Sequence, residues 1–226
     1  MPIADRIVPH VRRRFQNARA DLFLTLLAPP LNSTIVDVGG STGSFAALIA
    51  ARRPDLRITV ADTELTRFVA RDRHGFREAG LDPDGPLPFA DGEFDIVLCN
   101  SVIEHVTLPK QRCVDEFIPE AQWRSSAFRR QRAFAAEIAR VGRRYFVQTP
   151  HRNFPFDVHL WLPLTGGLSH NAARRLVRVT DRWWVKKCGV ADWHLLDQRD
   201  MAELFPDAVI TTERFGGIPK SVIAWR

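Results

Sequence analysis

The stretch Val36-Asp37-Val38-Gly39-Gly40-Ser41-Thr42-Gly43-Ser44 passes from an apolar run through a glycine turn into the start of a helix. Glycine permits positive φ and lets a ligand approach the main chain closely. The helix behind it presents unbonded N–H groups and the positive end of its dipole, which suits an anion. A phosphate, a dinucleotide pyrophosphate or an amino-acid carboxylate would each fit. A phosphate-binding P-loop needs Lys after its last glycine, where Ser44 stands. The G-x-G-x-x-G dinucleotide pattern fails at Ser41 and Thr42. What remains, an acid two residues before Gly-Gly-x-x-Gly, suits a zwitterion. Asp37 would lie near an ammonium, with the turn near the carboxylate or the sugar. Asp62 ends a second β-branched run, 19 residues after Gly43, where a carboxylate can accept both hydroxyls of a ribose. A strand-terminal Asp is also a common helix cap. Turn and acid together point to a nucleoside joined to an amino acid.

A second group of chemically able residues lies in His151-Arg152-Asn153-Phe154-Pro155-Phe156-Asp157-Val158-His159. Histidine titrates near neutrality, so His151 or His159 can take a proton from a nucleophile, oriented by Asp157. Intervals of six and two residues give no helical i,i+4 pair, which argues against a metal site. Trp161, Trp183, Trp184 and Trp193 can shape an aromatic pocket. Aromatics at helical spacing more often serve the core, the role expected of Trp183 and Trp184.

Positioning these residues falls to alternating helices and strands. Apolar periodicity predicts helices over 6–27, 44–53, 64–71, 125–141, 171–184 and 198–205. β-branched runs predict strands over 34–38, 57–61, 94–99 and 144–148, with at most one short strand near 76–81. Runs at 208–215 and 221–225 are predicted to pair as a hairpin through a five-residue loop, 216–220. This order implies a Rossmann-like, doubly wound seven-stranded α/β sheet. It would be mostly parallel, with an antiparallel C-terminal hairpin and helices on both faces. Ligands then belong beyond the carboxyl ends of strands, at 39–44, 62–64, 100–105 and 149–157.

At this point the chain resembles the class I S-adenosylmethionine-dependent methyltransferases, particularly the small-molecule-modifying group called type 11. The likeness rests on the glycine turn, on Val60-Ala61-Asp62, and on Leu87-Pro88-Phe89-Ala90-Asp91-Gly92-Glu93-Phe94-Asp95-Ile96-Val97 running into Asn100-Ser101-Val102-Ile103-Glu104-His105-Val106. Tyr145-Phe146-Val147-Gln148-Thr149-Pro150 extends it through a fifth strand. The resemblance implies S-adenosyl-L-methionine as cofactor, held by Asp37, Gly39, Gly40, Ser41 and Gly43. It also implies Asp62 at the ribose, Asp82 (with Asp84 as a neighbour) at the adenine amine, and Asn100 and Ser101 on the methionine side, with Thr63 and His105 also among the cofactor-binding residues. His105 serves equally well as a packing or capping residue. Two departures stand out: Ser41 replaces a frequent glycine, and residues 109–124 precede the usual helix and are expected to cover the substrate pocket.

Methyl transfer from a sulfonium is an in-line displacement in which alignment and water exclusion supply most of the rate. The expected reaction is O-methylation of a small-molecule acceptor without metal, with His159, His151 and Asp157 as the catalytic candidates. The Asp/Asn-Pro-Pro-aromatic tetrapeptide of amine-methylating nucleic-acid enzymes is replaced by Asn100-Ser101-Val102-Ile103, and no Pro-Cys of a cytosine-C5 enzyme stands there. A lipid- or quinone-modifying enzyme touching a membrane surface through residues 6–19, and a non-catalytic cofactor-binding module, are the other readings.

Composition bounds these expectations. The 226 residues are 45% hydrophobic and 26% charged, a globular balance fitting one domain, 1–226. Its expected parts are an N-terminal helical cap (1–33), a cofactor-binding core (34–150), a substrate-side loop and helix (151–197), and a helix with the terminal hairpin (198–226). The net charge of +6 concentrates in 1–33, 123–144 and 171–187, leaving the remainder acidic. Such asymmetry can mark an anionic partner, but arginine-faced amphipathic helices account for it without aromatic interleaving of the single-strand-binding kind. Three widely spaced cysteines suit a reducing cytosol. No apolar stretch approaches the ~20 residues of a transmembrane helix, and the arginine-rich N-terminus lacks a secretory core segment. A cytoplasmic monomer or homodimer is expected.

Overall fold

The computed structural model describes residues 3–64, 75–157, 159–160, 162–163, 165–180 and 189–226, with side chains from residue 13 onward. Helix α1 spans Ile3–Leu27. Its buried stripe, Ala20, Phe23 and Leu27, follows helical spacing, and Phe23 meets Phe146 edge-on at 5.4 Å. The helix stops at Ala28, which takes a positive φ of 37° before the Pro29-Pro30 pair.

Strand β1 (Thr34–Val38) leads through the glycine turn into α2 (Ser44–Arg52), then β2 (Arg57–Asp62), β3 (Arg77–Gly80) and β4 (Phe94–Asn100). A 3-10 turn at Ile103–His105 precedes α3 (Lys110–Asp115) and the long helix α4 (Glu120–Val141). Strand β5 (Gly142–Pro150) is followed by the two-stranded β6 (Phe156–Asp157) and β7 (Leu162–Pro163). Helices α5 (His170–Thr180) and α6 (Gln198–Leu204) and strands β8 (Val209–Phe215) and β9 (Ile218–Trp225) complete the described elements. The seven-stranded sheet has the order β3-β2-β1-β4-β5-β9-β8. β1 pairs in parallel with β2 and β4, and β2 with β3, while the C-terminal hairpin is antiparallel. The chain winds outward from β1 to β3 and returns beside β1 as β4, so the topological switch lies between β1 and β4. No helix among the described residues is long and apolar enough to cross a membrane.

The chain divides into two compact units: Met1–Asn100 with Ala136–Val147 and Ala224–Arg226, and Ser101–Ala135 with Gln148–Ile223. In the first, Ile35, Val36, Val60, Ile96, Val97 and Leu98 are buried with Ala46 and Ile49 of α2, and strands covered on both faces read as continuous apolar runs. Arg140 ties down the segment before β4. Its guanidinium donates to the carbonyls of Leu87 (3.0 Å) and Phe89 (2.7 Å) and to Asp91 and Glu137, and Glu137 accepts from the Leu87 N–H at 2.9 Å.

The second unit holds two small apolar cores. One gathers Leu160, Ala173, Val177 and Ala191 with Trp193 against them; the other is Cys113, Ile118 and Trp123. Residues 109–124 therefore fold into α3 and the first turn of α4 around this second core. Buried Gln131 joins three segments, donating to the carbonyls of Ile103 and His194 at 3.0 Å each and meeting the His194 Nδ1 at 2.9 Å. Burial, above all, pushes the His194 imidazole down to about 4, so this ring is neutral and donates from Nδ1.

Among the described residues the predicted elements recur in the expected order, with α3, β6 and β7 added where no element was expected, and several boundaries move. Helix α4 begins five residues before 125, at Glu120, and β5 extends beyond 144–148 at both ends. The predicted five-residue hairpin loop is corrected to two residues, Gly216 and Gly217, both at positive φ (55° and 80°). Such a pair matches the right-handed twist of flanking strands, which lets β9 start at Ile218. Most of the helix predicted over 64–71, the end of that over 171–184, and Trp161, Trp183 and Trp184 lie outside the described residues.

Candidate cofactor and acceptor sites

In the first unit the glycine turn is shaped by sterics that few other sequences satisfy. Gly39 and Gly43 hold φ of 73° and 71°, and Ser41 tolerates 49°. A Cβ on Gly40 would sit 2.7 Å from Val60 Cγ1 and 2.8 Å from Asp37 Oδ2. The N–H groups of Gly39 and Gly40 reach the Ala61 carbonyl at 2.7 and 3.3 Å, extending the β1–β2 pairing into the turn. Gly43 caps α2 without a side-chain hydrogen bond, so the helix start keeps the open donors of an anion site.

Two carboxylates flank this turn in different states. Asp62 is already engaged: its Oδ2 accepts from the Ser41 N–H at 2.7 Å and its Oδ1 from the Glu64 N–H at 2.9 Å. Thr63 beside it is exposed. Asp37 is 1% exposed, and its Oδ2 has no hydrogen-bond partner. Burial first, and the nearby Asp62 charge second, push its carboxyl up to about 7. A buried acid with an open oxygen is costly unless a donor or cation meets it. A ligand bearing an ammonium group beside a carboxylate fits both the open oxygen and the open helix start, as S-adenosylmethionine's amino-acid end would.

Asn100, the last residue of β4, accepts from Arg19 Nη1 at 2.9 Å through its Oδ1. Arg19, nearly buried on α1, was not singled out from sequence. Its place four residues before Phe23 on the buried stripe was the available signal. Asp82 is exposed in the loop after β3, where its Oδ1 accepts from the Asp84 N–H at 2.9 Å.

The second unit carries the remaining candidates. Ser101 has a positive φ of 58°; its N–H donates to the Gln148 carbonyl and its hydroxyl to Gln148 Oε1, both at 2.9 Å. The β6–β7 hairpin folds around Asp157, whose Oδ1 accepts from the N–H groups of His159 (2.6 Å) and Leu160 (3.0 Å). This side-chain-capped turn sets His159 inside, fully buried, with its Nδ1 3.4 Å from Asp157 Oδ1. Neither ring nitrogen of His159 has a hydrogen-bond partner. The ring stacks on Trp193 at 4.7 Å and meets His105 edge-on at 5.1 Å. Burial, above all, pushes the His159 imidazole below its ordinary value, against the pull of Asp157. His105 Nδ1 lies 2.8 Å from Asp192 Oδ1. Glu104, also fully buried, accepts from Thr149 Oγ1 at 3.1 Å through Oε2 and leaves Oε1 unpartnered.

These contacts separate the two histidines named as bases. His151 Nδ1 accepts from the Asn153 N–H at 3.0 Å, which commits the single lone pair of the neutral ring. His159 keeps its nitrogens open and has the carboxylate beside it. Glu104 was not named as a site residue, because a Glu-His pair after a strand is also explained by packing. A small cavity lined by His151, Phe154, Phe156, Asp157 and His159 adjoins the hairpin, and a larger cleft is lined by Trp123, Arg124, His170, Trp193 and His194 among others.

Residues 36–118 match the family model described as a methyltransferase domain. Over 106 residues the chain is 26% identical to the ribosomal RNA small subunit methyltransferase C of Pasteurella multocida (strain Pm70), covering 46% of this chain and 32% of that one. The chain thus spans about a third of the length of that relative. Among solved structures, an S-adenosylmethionine-dependent methyltransferase from Aquifex aeolicus is similar with a TM-score of 0.52 at 10% identity, covering 91% of this chain and 87% of that one. The methyltransferase complexed with the Trm112 activator from Haloferax volcanii gives a TM-score of 0.54 at 12% identity, covering 98% and 92%. These structures share the fold, and the family match falls on the glycine turn, the Asp62 strand end and β4. Residues 36–118 are thus similar to a methyltransferase domain, and the chain shares the fold of S-adenosylmethionine-dependent methyltransferases.

Proposed function

We propose that the protein transfers the methyl group of S-adenosylmethionine to an oxygen of a small molecule. One observation carries the cofactor assignment: Asp37 Oδ2 is buried and unpartnered beside a glycine whose Cβ would fill the same space. The glycine turn would take the carboxylate of the amino-acid end, Asp37 its ammonium and Asp62 the ribose hydroxyls. When bound, the cofactor supplies an electrophilic methyl on a sulfonium, and an oxygen acceptor displaces it in line. Glu104 Oε1 and the His159 ring, both buried and open, favour an acceptor with a hydroxyl proton to share.

A nucleic-acid acceptor is the second reading, favoured by the ribosomal RNA methyltransferase relative. Against it, much of the arginine excess is spent inside the second unit. Arg124 pairs with Glu120 and Arg132 with Glu203. Arg174 and Arg178 donate to the Val114 carbonyl.

Calorimetric titration with S-adenosylmethionine and S-adenosylhomocysteine, with NADH as control, tests the cofactor. Saturable heats from both adenosyl compounds and none from NADH are expected; silence from both removes the proposal. A steep salt dependence of RNA binding would transfer the acceptor assignment to the second reading.

A further inference from the structure

We propose that Glu104, His105 and His159 bind a divalent transition-metal ion. One ligand atom from each side chain falls within 4.8 Å of the others. Ligands about 2.0–2.2 Å from an ion stand about 3–3.6 Å apart, so small side-chain rotations close the site. The polar atoms involved are already open: Glu104 Oε1 and both His159 ring nitrogens are buried without partners. Without an ion these atoms bear an uncompensated desolvation cost.

The surroundings are those of ligands rather than of packing residues. A metal-bound histidine usually directs its second nitrogen at a carboxylate, which fixes the ring and its tautomer. Both histidines here have a carboxylate beside Nδ1, hydrogen-bonded in His105 and within ion-pair distance in His159. Asp192 Oδ1 stands 2.8 Å from His105, and Asp157 Oδ1 stands 3.4 Å from His159. Each ring thereby keeps Nε2 for the ion. Glu104 is oriented in turn by the Thr149 hydroxyl on its other oxygen, and the stacked Trp193 holds the His159 plane. Chain spacing concealed the set, because its members come from the 3-10 turn after β4 and from the β6–β7 hairpin.

Two imidazoles and one carboxylate favour Mn²⁺, Fe²⁺, Co²⁺ or Zn²⁺ over Mg²⁺ or Ca²⁺. Three protein ligands leave coordination positions open for water or for an oxygen ligand. The ion-binding claim stands on the second unit's side chains alone. With the ion bound, the methyl acceptor's oxygen would take an open coordination position instead of a direct hydrogen bond to Glu104 or His159, a use that rests on the methyl-transfer reading above.

The test is titration of the chelator-treated full chain with Co²⁺, followed by visible absorption and calorimetry, with no cofactor present. One equivalent per chain, with absorption bands from a nitrogen- and oxygen-ligated ion, is expected. Glu104→Gln should weaken binding by about 100-fold or more, and Asp192→Asn, which acts only through His105, by about 10–100-fold. S-Adenosylhomocysteine heats on the same variants report whether the fold is intact. Absence of saturable Co²⁺ or Mn²⁺ binding to folded wild-type protein at millimolar metal overturns the inference. So does binding left unchanged by both substitutions. Metal binding without adenosyl-ligand binding would instead remove the cofactor reading and leave the ion site standing.

Discussion

In the proposed cofactor site Asp37 would link binding to pH, and the size of the link follows from its burial. Its carboxyl is held at about 7 in the folded chain, against an ordinary 3.8. Between those values the folded apo protein keeps a proton that the unfolded chain has released. Apo stability therefore falls as pH rises through this window and levels off above about 7. The shift, about three pH units, corresponds to ~4 kcal/mol. An ammonium delivered to Oδ2 inverts the preference and expels the proton, so affinity for S-adenosylhomocysteine should climb about tenfold per pH unit from pH ~5 to ~7 and then flatten. Across pH ~5 to ~8 the gain approaches ~100-fold, or ~3 kcal/mol. Calorimetric titrations in buffers of different ionisation enthalpy read both the affinity and the released proton. Asp37→Asn keeps the shape and removes the charge. It should abolish the slope, weaken binding at pH ~8 by ~2 kcal/mol or more, and raise apo stability there by ~2–4 kcal/mol. Flat wild-type affinity across this range, or a slope that survives in the Asn variant, refutes the pairing of Asp37 with the ammonium.

Gly40→Ala forces a Cβ to within 2.7 Å of Val60 Cγ1; thermal melts should show a loss of ~1–3 kcal/mol, and calorimetry little residual adenosyl-ligand binding. Phe23→Ala empties a fully buried ring site against Phe146 and should cost ~3–5 kcal/mol in urea unfolding. Asp197 caps α6 by accepting from the Arg199 and Asp200 N–H groups and pairs with Arg152. Its replacement by Ala should lower stability by ~1–2 kcal/mol, shifting the midpoint by ~2–8 °C for a chain of this size.

How far the sequence could be read depended on whether a residue's partners were near it in the chain. β1, β2 and β4 were legible because strands buried on both faces are short β-branched runs between turn residues, and the glycine turn was legible because its conformations exclude most side chains. The β8–β9 turn was overestimated because Pro219 and Lys220 read as loop residues. Within β9, Lys220 instead pairs with Glu213 of β8 at 3.0 Å, a contact that composition does not announce. Helix α3 escaped notice because six residues hold too little periodicity. On the acceptor side, Asp157 and His159 drew attention as a local pair. Glu104 and Asp192 became significant only once folding set them beside histidines 55 and 87 residues from them in sequence.

The two hydrogen bonds on Asp62 bear on how this protein can evolve. Nucleotide preference in related α/β folds is set by the residue at this strand end, where an acid accepts ribose hydroxyls and a basic group accommodates a phosphate. Here the same carboxylate fastens the Ser41 and Glu64 amides. A substitution that recruited a phosphorylated nucleotide would therefore also release the turn proposed to seat the nucleoside. Under that proposal ligand preference and local folding share one side chain, so neither can drift without a compensating change in the other.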